Sequence, residues 1–200
     1  MKLELSNFQK IESSFKQLSI DEKSISEYFT IFKELSFDDK TNLVNNILSD
    51  FYNNYKSIPK GNSNLRISGL LEKDNGIVFL FEYYFEDNTL NSYRRLLDAI
   101  ALYSSNYNID YKKITPIIVF HEIPNKRVDM WLALEDIENV LEIEFKLLTV
   151  FEIYFIKKFH LNFGKILEYS GYKNVREGFV ENKLKDIIGY DGSELPLFKP

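Results

Sequence analysis

The sequence predicts an α/β fold: a mixed central β-sheet flanked by helices, with a helical segment at the N-terminal end. Three observations predict it. First, a turn signal, Asp74-Asn75-Gly76, joins two runs rich in aromatic and β-branched residues, the pattern of a hairpin. Second, Asn91 to Tyr107 carries a helical repeat, with Leu96, Leu97, Ile100 and Tyr103 facing inward. Third, Ile114 to Ile123 is nearly all apolar, as a central strand covered on both faces would be. A helix between Phe85 and Ile114 suits a crossover within a parallel or mixed sheet.

Each element has its own reason. Residues 6–35 read as helix, with Phe8, Ile11, Phe15 and Leu18 at helical spacing. Ser24 or Ser26 caps a second piece carrying Tyr28, Ile31, Phe32 and Leu35. Asp38 or Asp39 precedes Leu43, Ile47, Leu48 and Phe51, another amphipathic helix. Ser57 to Asn64 is the clearest loop and the best internal boundary. Leu65 to Lys73 and Ile77 to Phe85 are the hairpin strands. Val128 to Leu134 and Leu141 to Val150 read as further strands, the second with alternating apolar and charged residues. Glu152 to Tyr169 reads as a closing helix. The whole is one domain: a helical segment over 1–57, an α/β core over 64–170 and a weakly patterned extension over 171–200.

Composition narrows the function. At 200 residues, division into two domains would leave small cores. With 17 Phe and 13 Tyr the core is unusually aromatic. The chain has no Cys, which excludes disulfides and thiolate metal sites, and its plain reading is a cytoplasmic protein. The N-terminus carries charges every few residues and does not read as a signal peptide. No apolar run approaches the roughly 18 residues that a membrane helix needs. The net charge of −5 gives no support to nonspecific nucleic-acid binding, while leaving a local basic groove open. Phosphate-cradling glycine loops, nucleophile elbows and zinc signatures are all missing.

Four pieces carry a family likeness: the hairpin LRISGLLEKDNGIVFLFEYY, the helix SYRRLLDAIALYSSNY, the strand ITPIIVFHEIP and the late amphipathic LEIEFKLLTVF. In this order, from about Asn64 to Phe155, they resemble the recombination-promoting nuclease family, a transposase-like branch of the PD-(D/E)XK enzymes. The resemblance implies a restriction-endonuclease-like fold. It also implies two carboxylates holding Mg²⁺, with a Lys or Gln that orients the attacking water on a DNA phosphodiester.

Carried over position by position, Glu82 matches the second carboxylate and is the implied metal ligand. Ser68 stands where the family has Asp, and Tyr84 where it has Gln or Lys. The likeness therefore reaches the fold more fully than the chemistry. Arg94 or Arg95, on the following helix, is placed to pair with Glu82, since a lone Glu in an apolar strand is costly. An alternative set is Asp129, Glu144 and Lys146. Here Glu144-Phe145-Lys146 is a literal Glu-X-Lys, and a strand would put both ends on one face. The same alternation is what any solvated strand face shows.

His121 and His160 lack metal-ligand spacing, and a hydrogen-bonded strand-end His is the plainer reading of His121. Tyr103, Tyr107 and Tyr111 could stack bases, but at this spacing they are more often a packing stripe. Lys112-Lys113 and Lys157-Lys158 are too short to form basic patches. Three functional readings follow: a nuclease-like module that binds or assembles without cutting, an active Mg²⁺-dependent DNA endonuclease, and an unrelated protein-interaction domain. The aromatic N-terminal helices and the closing helix could bury a homodimer interface or simply cover the sheet.

Overall fold

The computed structural model describes residues 34–59, 65–85, 90–158 and 162–177. The helices expected before residue 34, most of the 57–64 loop, His160 and the tail beyond 177 lie outside the described residues. The described elements are α1 (Phe37–Phe51), β1 (Tyr55–Ser57), β2 (Gly69–Glu72), β3 (Val78–Tyr84), α2 (Leu90–Tyr107), β4 (Ile114–Phe120), α3 (Met130–Leu141), β5 (Lys146–Thr149), α4 (Val150–Lys158), α5 (Phe163–Tyr169) and α6 (Tyr172–Glu177).

The strands form one five-stranded open sheet in the order β1-β2-β3-β4-β5. The first three pair antiparallel, while β3, β4 and β5 run parallel. This is the expected mixed sheet flanked by helices, consistent with a restriction-endonuclease-like arrangement. The hairpin forms as its turn signal requires, with Gly76 in the left-handed region at φ 76° and Asn75 outside it. Lys73 and Ile77 close a three-residue loop through Lys73 N–H to Ile77 O at 2.9 Å.

All seven residues of β3 are buried, so both sheet faces are covered there. On one face lies α1, contributing Leu43, Val44, Ile47 and Leu48, and Asn45 meets the Tyr83 hydroxyl at 2.9 Å. On the other lies α2, which reaches Glu82 and Glu72 through Arg95 and Tyr103. The cap of α1 is Ser36, ahead of the expected Asp pair: its Oγ accepts from Asp39 N–H at 3.1 Å. Pro116 sits in β4 before the β4–β5 ladder begins at Ile117, so its missing donor falls outside that pairing.

Several expected elements differ. Residues 128–134 are not a strand. Met130, Trp131 and Leu134 bury one face of α3, and a short apolar run does not by itself distinguish helix from strand. The Leu141–Val150 strand shrinks to Lys146–Thr149. Glu142, at φ 57°, closes α3, and 143–145 make no regular structure, although Ile143 and Phe145 are buried as the alternation implied. The first hairpin strand starts at Gly69 rather than Leu65, and the closing helix is two helices, α4 and α5. The short β1 carried no sequence signal. The outer edge of β5 is sealed by 170–172, through Leu147 N–H to Ser170 O at 2.8 Å and Tyr172 N–H to Phe145 O at 3.2 Å.

Candidate functional site

Glu82 lies at the centre of the sheet with 3% of its surface exposed. The side-chain alternation of β3 turns Phe81 and Tyr83 toward α1, and turns Glu82 toward α2. Gly69 pairs with Phe81, which sets Ser68 directly opposite Glu82 across the hairpin. The Ser68 hydroxyl donates to Glu82 Oε2 at 3.3 Å and accepts the Tyr83 N–H at 3.0 Å. From the start of α2, Arg95 Nη1 donates to Glu82 Oε1 at 2.9 Å. Its guanidinium is half exposed, so the pair runs from the core out to solvent.

The structure thus brings together Ser68, Glu82 and Arg95. Arg94, one residue away, points elsewhere and lies over the Tyr93 ring at 5.9 Å. Tyr84 is buried against Phe120, with ring centroids 6.3 Å apart and edge-on. Its phenol occupies the position at which the resembled family carries a water-orienting amide or amine.

This donor set does not fit Mg²⁺. That ion takes carboxylate and water oxygens in octahedral geometry. Here one carboxylate meets a hydroxyl and a guanidinium, and the guanidinium supplies the positive charge beside Glu82. Among the described residues, no group of three His, Cys, Asp or Glu side chains is arranged to hold a metal ion.

The alternative set sits on different elements from those the sequence suggested. Asp129 is the N-cap residue of α3 rather than a strand residue, and its side chain makes no cap bond. Glu144 precedes β5 and is about half exposed, paired with Lys146 at 2.7 Å. With 130–141 helical, the strand-to-strand spacing that linked Asp129 to Glu144 and Lys146 is lost. His121 follows β4 with its Nε2 3.6 Å from Glu122. Of the tyrosine run, Tyr103 is buried and packs against Tyr107 with tilted rings 4.5 Å apart, while Tyr111 falls in a separate short helical turn.

Two polar networks carried no sequence signal. On the α2 face, the Tyr103 hydroxyl donates to Glu72, and Lys56 joins it at 3.2 Å. The Tyr103 hydrogen bond holds the Glu72 carboxyl below its ordinary range; partial burial opposes this and Lys56 assists it. On the α1 face, the Tyr55 and Tyr83 hydroxyls meet each other and Asn45 Oδ1. Burial pushes the phenol pKa of both well up. Gly69 permits this second network, because a methyl group there would collide with the Tyr55 ring. Partners 28 and 31 positions apart cannot be read from local spacing.

No family model, no curated protein and no solved structure matches this chain.

Proposed function

We propose that this domain binds without cutting: a restriction-endonuclease-like module in which the acid that would hold a metal is locked into an ion pair. One observation carries the reading. Glu82, the position that the hairpin resemblance assigns to a metal ligand, is held by Arg95 at 2.9 Å and by Ser68 at 3.3 Å. Metal-assisted hydrolysis of a phosphodiester needs at least one ion to stabilise the developing charge. Ser68 and Tyr84 add no carboxylate and no cation to the set. The pair instead ties α2 to the hairpin.

The test is direct. Purified protein is incubated with supercoiled plasmid and Mg²⁺ or Mn²⁺, and titrated with either metal by calorimetry. The plasmid is expected to stay supercoiled, with no saturable metal heat. Nicking that vanishes in Glu82→Ala would overturn the reading. Nicking lost only in Glu144→Ala or Lys146→Ala would overturn it too, and would move the chemistry to the start of β5.

A further inference from the structure

The hairpin turn holds a reactive pair. Asn75-Gly76 is the only asparagine-glycine sequence in the chain. Both residues are exposed, at the tip of the loop that Lys73 and Ile77 close. An asparagine amide is an electrophile, and the next backbone nitrogen reaches its Cγ when no side chain stands in the way. Glycine offers that access. The surroundings are open as well: a methyl group placed on Gly76 would meet nothing within 4 Å. The fold also turns the amide toward this nitrogen. Ile77 N–H donates to Asn75 Oδ1 at 3.3 Å, so the side chain lies over the Gly76–Ile77 link and its carbonyl is polarised. The same donor would stabilise negative charge developing on Oδ1. One contact opposes reaction. Gly76 N–H donates to Lys73 O at 2.9 Å, and that bond is forfeited when the nitrogen attacks.

We propose that Asn75 is a site of spontaneous modification in the folded chain, converted through a cyclic imide to aspartate and isoaspartate. The Gly76 nitrogen gives its proton to base and attacks Asn75 Cγ. The N–Cγ bond forms, the Cγ–Nδ2 bond breaks, and ammonia leaves with a proton. Water then opens the ring, so the net change is amide plus water to acid plus ammonia. Opening at Cγ restores the ordinary main chain, with a new carboxylate next to Asp74. Opening at the main-chain carbonyl routes the backbone through the side chain and adds a methylene inside a three-residue loop. Loop length fixes hairpin register, so this product strains the pairing of β2 with β3. Asn108 provides the contrast. It too is exposed, and it lies in the left-handed region at φ 53°, but Ile109 follows it. That β-branched side chain shields the nitrogen, which already donates to Ser104 O at 3.1 Å. The inference does not use the Glu82 ion pair, so the two can fail separately.

The test incubates the full chain in warm, mildly alkaline buffer and follows the peptide containing residue 75 by mass spectrometry. That peptide is expected to gain the mass of an amide-to-acid change well before the peptide containing Asn108. It should give two chromatographically separable products, one of them a substrate for an isoaspartyl methyltransferase. The rate should rise with pH, because the attacking nitrogen must lose its proton. In guanidinium chloride, where the turn is gone, conversion should be faster by no more than about tenfold, the scale of one hydrogen bond. Gly76→Ala, compared in the denaturant where folding plays no part, should slow the reaction. Asn75→Gln should abolish methyl acceptance at this peptide. A native chain that keeps its amide while the unfolded chain converts would overturn the proposal, since only unfolding would then expose the site. So would earlier conversion at Asn108.

Discussion

Glu82 and Glu152 are both buried acids, 3% and 1% exposed, yet they are stabilised in opposite ways. Glu152 is served locally. Its Oε2 accepts the Thr149 N–H at 2.7 Å and the Thr149 hydroxyl at 3.1 Å, while Thr149 Oγ1 accepts the Glu152 N–H at 3.1 Å. That reciprocal arrangement is a capping box at the start of α4, spelled Thr-X-X-Glu in the chain. Glu82 is served at a distance, by Ser68 fourteen positions before it and Arg95 thirteen positions after it. Burial of an acid is therefore no mark of chemistry in itself. The mark is which partners the fold brings: here a guanidinium pairs with Glu82, and a backbone N–H and a hydroxyl hydrogen-bond Glu152.

The contrast can be broken by removing each partner in turn. The largest effect is expected for Arg95→Ala, which leaves the Glu82 carboxylate inside the sheet without its guanidinium. Breaking a fully buried pair costs about 3–5 kcal/mol, and the half-exposed Arg95 lowers the expected loss to about 2 kcal/mol. Urea denaturation measures it, and a loss below about 0.5 kcal/mol would mean that Arg95 does not neutralise Glu82. Replacing both residues by Leu should recover most of the loss, since an apolar pair leaves no stranded charge.

Next comes Thr149→Ala, which removes one half of the capping box. About 1 kcal/mol is expected, the usual value of an N-cap. If Thr149→Ala costs more than Arg95→Ala, the local cap rather than the tertiary pair is the stronger constraint, and the ranking of the two sites reverses.

The smallest effect is a pH dependence at Glu72. Its folded pKa is lowered, chiefly by the Tyr103 hydrogen bond, so its contribution to stability is present above the unfolded carboxyl value, roughly 4.3. That contribution is lost as pH falls through the folded value. Stability measured between about pH 6 and 3 should therefore fall less steeply in Glu72→Gln than in the parent protein. Glu72 is 42% exposed, so screening keeps the difference below about 1 kcal/mol. An unchanged slope would remove Glu72 from the acid response and leave Glu138, which Lys173 shifts in the same direction.

Sequence reasoning reached the class of fold because local periodicity carries it. The Asn-Gly turn, the apolar Ile114 run and the α2 repeat each state their structure within a dozen residues. It failed at α3, where Val128 to Leu134 is apolar except at Asp129 and so fits either period, and at β1, where three residues have no period at all. The candidate site divided the same way. The chain already showed that Glu82 falls in a buried strand and that an arginine follows on the next helix. Choosing Arg95 over Arg94 needed the rotation of α2 on the sheet, which no spacing rule gives.

Taken alone, the sequence determined the helix and strand segments with strong periods, the hairpin turn and the absence of thiol chemistry. Those properties depend on neighbours a few residues apart, where chain geometry is fixed. Only the tertiary structure decided that Ser68, Glu82 and Arg95 meet, that Asp129 stands at a helix end rather than in a strand, and that 170–172 seals the edge of β5. Each of these depends on how separate elements pack, because close packing sets which of several equally reachable partners a side chain touches.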